Sequence, residues 1–345
     1  MFGTKKPKVR TWNVISSAWL LIASCSVQES VPVGAIEITG NTQGTTYRVV
    51  IVDSNSQITR QYLDSLLAGF DKSLSTYMEE SLISQLNKSS DTVQVDDAYF
   101  EMCMNQSFFL HKSTEGAFDP TVQPLFEAWG FASKDPEPPT DDSIVQILAY
   151  VGLDRSIHWK NGTFYRKHPN TRFNFNAIAQ GLSVDVLTDA IRSEGHKDFY
   201  VEIGGELRVE GFNREGRPWV IGIDAPRDHS STHEVENTID VSNRAIATSG
   251  NYRNFYEKDG KRYAHTLNPK TGKPVRHSLL SATVIADECS TADAYATAFM
   301  VMGAEKTLDF VARHPELRIE VYLLLDDGKG GVQREMSPGF KYYLS

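Results

Sequence analysis

Beyond residue 34 the apolar positions follow two different spacings. Residues 36–39 and 46–52 alternate apolar and polar positions, which predicts two strands around a polar stretch at 40–45. Over 58–74 the spacing lengthens, and Leu63, Leu66, Leu67 and Phe70 fall on one helical face. Helices are also predicted over 81–87, 99–113, 141–151, 177–193, 291–302 and 305–313, with Asp141 or Asp142 capping the one that starts at 141. Strands are predicted over 199–203, 206–210, 219–223, 245–248, 261–266, 280–286 and 318–325. Residues 157–165 read as a hairpin, because Asn161-Gly162 suits a two-residue turn. Strands and helices come in mixed order without regular βαβ units, so the expected class is α+β, with mixed sheets and flanking helices. Parallel pairing of strands such as 199–203 would make it α/β instead.

The first residues depart from this pattern. Lys5, Lys6, Lys8 and Arg10 precede an apolar run from Trp12 to Ala23, a charged region followed by a short hydrophobic one. The run is short for a membrane-spanning helix. It ends in Leu21-Ile22-Ala23-Ser24-Cys25, which resembles a bacterial lipoprotein signal. The expected product begins at a lipidated Cys25, anchored on the periplasmic side of the cell inner membrane. Residues 25–34 then form a tether, and 35–345 a single domain. Loss of residues 1–24 removes four cations and no anion, leaving 31 Lys+Arg against 44 Asp+Glu, a formal charge of −13. A chain this acidic, without a basic stripe, is not expected to bind nucleic acid. The other cysteines, Cys103 and Cys289, are too few for a disulfide framework and read as buried or spare thiols.

The chemistry is expected around Ser290-Thr-Ala-Asp-Ala-Tyr-Ala-Thr297. Ser290 is a candidate N-cap and Gly303 a candidate stop for an Ala-rich helix. On it, Asp293 and Thr297 share a face at i and i+4. Two readings stand side by side. Asp293 completes a capping box with Ser290, or Asp293 and Thr297 offer the hard oxygen donors that Mg²⁺ accepts. Five further loops are rich in glycine and polar residues: 43–46, 116–122, 174–181, 202–206, and the segment from 247–251 to 265–272. Neither G-x-G-x-x-G nor G-x-x-x-x-G-K-[ST] occurs among them, so dinucleotide and P-loop folds are not indicated.

In order along the chain stand Gly-Thr-Thr-Tyr at 44–47, Ser-Thr-Tyr at 75–77, Gly-Ala-Phe-Asp-Pro at 116–120 and Asn-Ala-Ile-Ala-Gln-Gly at 176–181. Ile-Gly-Gly-Glu at 203–206, Ala-Thr-Ser-Gly-Asn-Tyr at 247–252, His-Thr-Leu-Asn-Pro at 265–269 and Ala-Asp-Ala-Tyr-Ala-Thr at 292–297 follow. This series resembles the ApbE family of FAD:protein FMN transferases. The resemblance implies Mg²⁺-dependent transfer of FMN from FAD to a Thr or Ser hydroxyl of exported or membrane redox subunits, with release of AMP. It places the metal on Ala177, Asp293 and Thr297, with Ala296 beside them. It places FAD on Gln43, Tyr77, Ala117, Phe118, Asp119, Asn174, Gln180 and the His265-Thr266-Leu267 segment. Histidine ordinarily titrates at about pH 6.5, which suits a base at neutral pH, and His265 is the expected base for the incoming hydroxyl. The family often carries Asp, Lys and Met where this chain has Asn174, Gln180 and Gln43. Water in place of the hydroxyl would make the chain an FAD pyrophosphatase, and binding without turnover would make it a flavin-binding lipoprotein.

Overall fold

Ten strands set the frame in a computed structural model that describes residues 34–131, 136–226, 235–251, 255–258 and 261–345. They are Ile36–Thr42 (β1), Thr45–Ile51 (β2), Phe199–Ile203 (β3), Glu206–Glu210 (β4), Trp219–Asp224 (β5), Val235–Val241 (β6), Arg244–Gly250 (β7), Leu279–Ala286 (β8), Glu320–Asp326 (β9) and Val332–Met336 (β10). Cys25 and tether residues 25–33 lie outside the described residues. Eight strands form one sheet in the order β1-β2-β3-β4-β7-β8-β9-β10, and β5 pairs with β6 separately. Every strand pairing among the described residues is antiparallel, so the class is α+β and the parallel alternative for 199–203 is corrected. Gln43 and Gly44, at φ 50° and 75°, supply the left-handed pair that joins β1 to β2.

Five helices matter for the site: Arg60–Leu74 (α1), Ala98–Ser113 (α2), Ala179–Ser193 (α3), Cys289–Met302 (α4) and Ala304–Arg313 (α5). One face of the sheet packs on helices. Tyr47, Val49, Ile51, Phe199 and Val201 meet Leu63 and Leu67 of α1 and Leu187 and Ile191 of α3. Ala282, Val284, Val321 and Leu323 belong to the same cluster as Ala298, Phe299 and Met300 of α4. The outer face packs on β5 and β6, where Ile221, Ile223, Ile239 and Val241 meet Ile246, Ile285, Tyr322 and Leu324. Strand β8 is therefore covered on both sides. That explains its nearly continuous burial, which takes in Ser281 and Thr283 and lacks the alternation of a half-exposed strand. Helix α4 is buried nearly all round, and its alanines let it fit between the sheet and α3.

Some local expectations need correction. Thr140, not Asp141 or Asp142, caps Asp141–Leu148, through its hydroxyl and the Ser143 N–H. Ser290 is not a cap: α4 begins at Cys289, so Ser290 lies inside it. Strands β6 and β10 were not anticipated.

Candidate active site

The site grows from two helix starts that solve the same problem reciprocally. A helix leaves its first N–H groups without partners in the helix itself. Neither α3 nor α4 has a side-chain cap at its own N-cap residue, Ile178 or Glu288. Asp185 of α3 supplies the missing acceptor for α4. It accepts the N–H groups of Cys289 and Ser290, each at 2.8 Å, and the Ser290 hydroxyl at 2.7 Å. Asp293 of α4 returns the contact by accepting the Gly181 N–H at 3.0 Å. Asp293 thus caps a neighbouring helix, which corrects the capping-box reading with Ser290. Gly181 permits the approach: a Cβ there would stand 2.5 Å from the Cys289 carbonyl oxygen.

Burial drives the electrostatics. It pushes the Asp185 carboxyl up to about 6 against the pull of its three donors. It also raises Asp293, which has one backbone donor to offset it. A buried carboxylate with one N–H partner is a costly arrangement for its charged form unless a cation approaches it. Thr297 stands beside it, with its hydroxyl 3.2 Å from that of Ser249. A carboxylate, a hydroxyl and nearby backbone carbonyls suit a small hard cation that keeps substrate oxygens and water in its shell. Among the described residues no three His, Cys, Asp or Glu side chains gather to hold a metal.

A cavity of about 470 Å³ opens in front of this pair. Asp293 and Thr297 line one side, and Asn174, Ala177 and Gln180 come from the segment that enters α3. Ala117, Phe118 and Asp119 line a second side, and His265, Thr266 and Leu267 a third. Asp119 is tied up in structure: its Oδ1 accepts the Thr121 N–H at 2.8 Å and its Oδ2 the Leu153 N–H at 3.1 Å. Thr266 donates to Asn251 at 2.6 Å. Three expected residues are not brought to the cavity lining. Tyr77 is 89% exposed on its turn. Gln43, on the β1–β2 turn, accepts the Ser183 hydroxyl at 3.4 Å. Ala296 is buried inside α4, rotated by one residue from the face that carries Asp293 and Thr297.

The ApbE family model matches residues 43–323. The chain belongs to the ApbE family. It is 34% identical to the FAD:protein FMN transferase of Vibrio cholerae over 98% of this chain and 100% of that one. It is 33% identical to the Escherichia coli K12 protein of the same name over 90% of each. The solved flavin transferase ApbE from Vibrio cholerae superposes with a TM-score of 0.79, covering 91% of this chain and 100% of that chain. The Pseudomonas stutzeri flavinyl transferase ApbE in its apo form also gives 0.79, at 31% identity, over 89% and 96%.

In this ApbE-family chain the unusual polar residues bind protein groups. Asn174 donates to the Gln123 side chain and accepts the Asn176 N–H at 3.1 Å. Gln180 donates to the Ile203 carbonyl at 2.7 Å, fixing the β3–β4 turn. The cavity also includes residues to which the sequence reading gave no role: Glu206, Thr248 and Ser249. Glu206 Oε2 is buried without a hydrogen-bond partner among the described residues, and burial together with the nearby Asp293 charge holds its carboxyl well above the usual range. Its signal was the Gly204-Gly205 pair before it, whose φ values of 60° and 110° turn the strand at the cavity.

Proposed function

We propose that this chain transfers FMN from FAD to a threonine or serine hydroxyl of an acceptor protein, with Mg²⁺ at the pyrophosphate and AMP as leaving product. Family membership makes it a flavin transferase. The observation that carries the reading to this site is one cavity lined by Asp293, Thr297, Ala177 and His265. The acceptor oxygen forms a bond to the phosphorus on the FMN side. The bond from that phosphorus to the bridging oxygen breaks, and AMP leaves with that oxygen. His265 takes the hydroxyl proton. Asp293, Thr297 and the Ala177 carbonyl would hold Mg²⁺, which neutralises pyrophosphate charge when bound. The cavity walls from 117–119 and 265–267 orient the donor so that attack is in line.

The test is incubation with FAD, Mg²⁺ and the exported domain of a redox subunit that carries FMN on threonine. Mass spectrometry of the denatured acceptor should find FMN on one residue. Free FMN and AMP with an unlabelled acceptor would make the chain a pyrophosphatase. FAD binding without AMP release would make it a carrier. His265→Ala should slow transfer by about 10²-fold or more while leaving FAD affinity in place, and equal losses in both would remove its role as base. The same proposal puts the enzyme outside the cytoplasm on a lipid at Cys25, supported by the order Leu21-Ile22-Ala23-Ser24-Cys25. Cys25→Ser should release active protein from the membrane fraction.

A further inference from the structure

The large donor raises a problem of access. With FAD in the 470 Å³ cavity, the acceptor backbone must lie elsewhere and deliver only its hydroxyl. A second, larger groove of about 920 Å³ runs over the outer face of the sheet. Its floor is the outward side of β1, β2 and β3, including Arg48 and Tyr200, and its wall is β5. The groove exists because the β5–β6 pair packs on the outer face from β4 across to β10 and reaches β3 at Tyr200, against Trp219, leaving β1 and β2 uncovered. Its floor is braced: Arg48 pairs with Glu37 at 2.7 Å and lies over the Tyr200 ring at 5.7 Å. Along the wall, β5 pairs with β6 on one edge only among the described strands. An unpaired strand edge is a template for an added strand.

The two cavities share lining residues at one place in the sheet. Strands β4 and β7 pair only from Arg244↔Val209 to Ile246↔Leu207, although β7 continues to Gly250 alongside β8. Beyond Leu207 and Ile246 the two strands part. Glu206 and Thr248 flank the parting, and with Gly204 they line both cavities. The β3–β4 turn beside it carries no side chain at Gly204 or Gly205, and a Cβ on Gly205 would meet nothing within 4 Å.

We propose that the outer groove receives an extended segment of the acceptor polypeptide, laid along the β5 edge that has no partner among the described strands, and that the segment's hydroxyl side chain passes between Glu206 and Thr248 to reach the flavin cavity. This rests on the transferase reading above. Donor and acceptor then occupy opposite faces of one sheet and meet only at the window. The bond changes are those already given; the groove adds position alone.

Two variants fill or recharge the groove away from the window: Val220→Trp, at a β5 position that is 62% exposed, and Arg48→Glu on the floor. The acceptor is the exported domain of a redox subunit that receives FMN on threonine, and thermal melts confirm that both variants fold. The KM for acceptor should rise tenfold or more in each, with kcat at saturating acceptor within twofold of wild type and FAD affinity unchanged. A KM within twofold of wild type in both variants overturns the proposal. So does a parallel loss of FAD affinity, which would assign the groove to the donor. A photocrosslinking residue at position 220 separates the two claims. A crosslink to the acceptor with no FMN transfer by wild type would keep the groove and sink the transferase reading. Transfer without a crosslink would sink the groove.

Discussion

Asp185 and Asp293 are the same residue type, both buried, both reaching from one helix to the start of the other. Their surroundings differ in hydrogen-bond supply. Asp185 has three donors within 2.8 Å and does not line the cavity. Asp293 has one backbone donor and does line it. The first carboxylate is saturated by the protein and serves to join two helices. The second is left with capacity, and chemistry becomes possible where the protein leaves a charge incompletely answered.

The largest expected break of this comparison is Asp293→Ala. Transfer should fall about 10³-fold or more, since a cation ligand supplies several kcal/mol to the transition state. Chemical denaturation should show a loss of only about 1 kcal/mol, the value of one cap. If stability fell as far as activity, Asp293 would be structural like its counterpart. Next is Asp185→Ala, which strands two N–H groups and a hydroxyl at the start of α4. It should cost about 2–4 kcal/mol in the same measurement, with turnover per folded molecule kept within a few-fold. Retained stability with lost turnover would reverse the assignment.

A pH series sharpens the contrast further. Burial raises the Asp185 carboxyl from 3.8 to about 6, so between these values the native state holds a proton that the unfolded chain releases. Its contribution is present below pH ~4 and is lost as pH rises through about 6, by about 3 kcal/mol in all. Asp185→Asn removes this titration. The stability difference between wild type and the Asn variant should therefore shift against wild type on going from pH 4 to pH 7. A pH-independent difference would mean that the three donors fully offset the burial. The smallest effect is that of Ser290→Ala, which removes one of the three donors and should cost about 1 kcal/mol in thermal or denaturant unfolding.

Local features of the fold were legible where the chain decides them locally. Leu63, Leu67 and Phe70 marked the buried face of α1, and Asn161-Gly162 gave a turn with both φ values positive. Strand β6 was missed although Val235, Asn237, Ile239 and Val241 alternate, because polar residues interrupt the apolar set. Strand β10 is a largely exposed edge carrying Gln333, Arg334 and Glu335, and little burial constrains its composition. At the site, motif order located the cavity walls. It could not reveal that each helix is capped by the other, since the partners are 105 and 112 positions apart. Ser290 read as a cap because local pattern knows only neighbours in sequence. Glu206 gave a weaker signal still, as its burial depends on where β4 and β7 separate.

The reciprocal capping also bears on assembly. The Gly181 N–H has no carboxylate to meet until a segment more than a hundred residues later has been made and docked, and closing a loop of that length is a slow, late event. A nascent chain ending before α4 carries most of the cavity walls but not the ligand that would arm them. Exchange of the Gly181 amide proton, followed during refolding, would time the moment at which the catalyst comes into being.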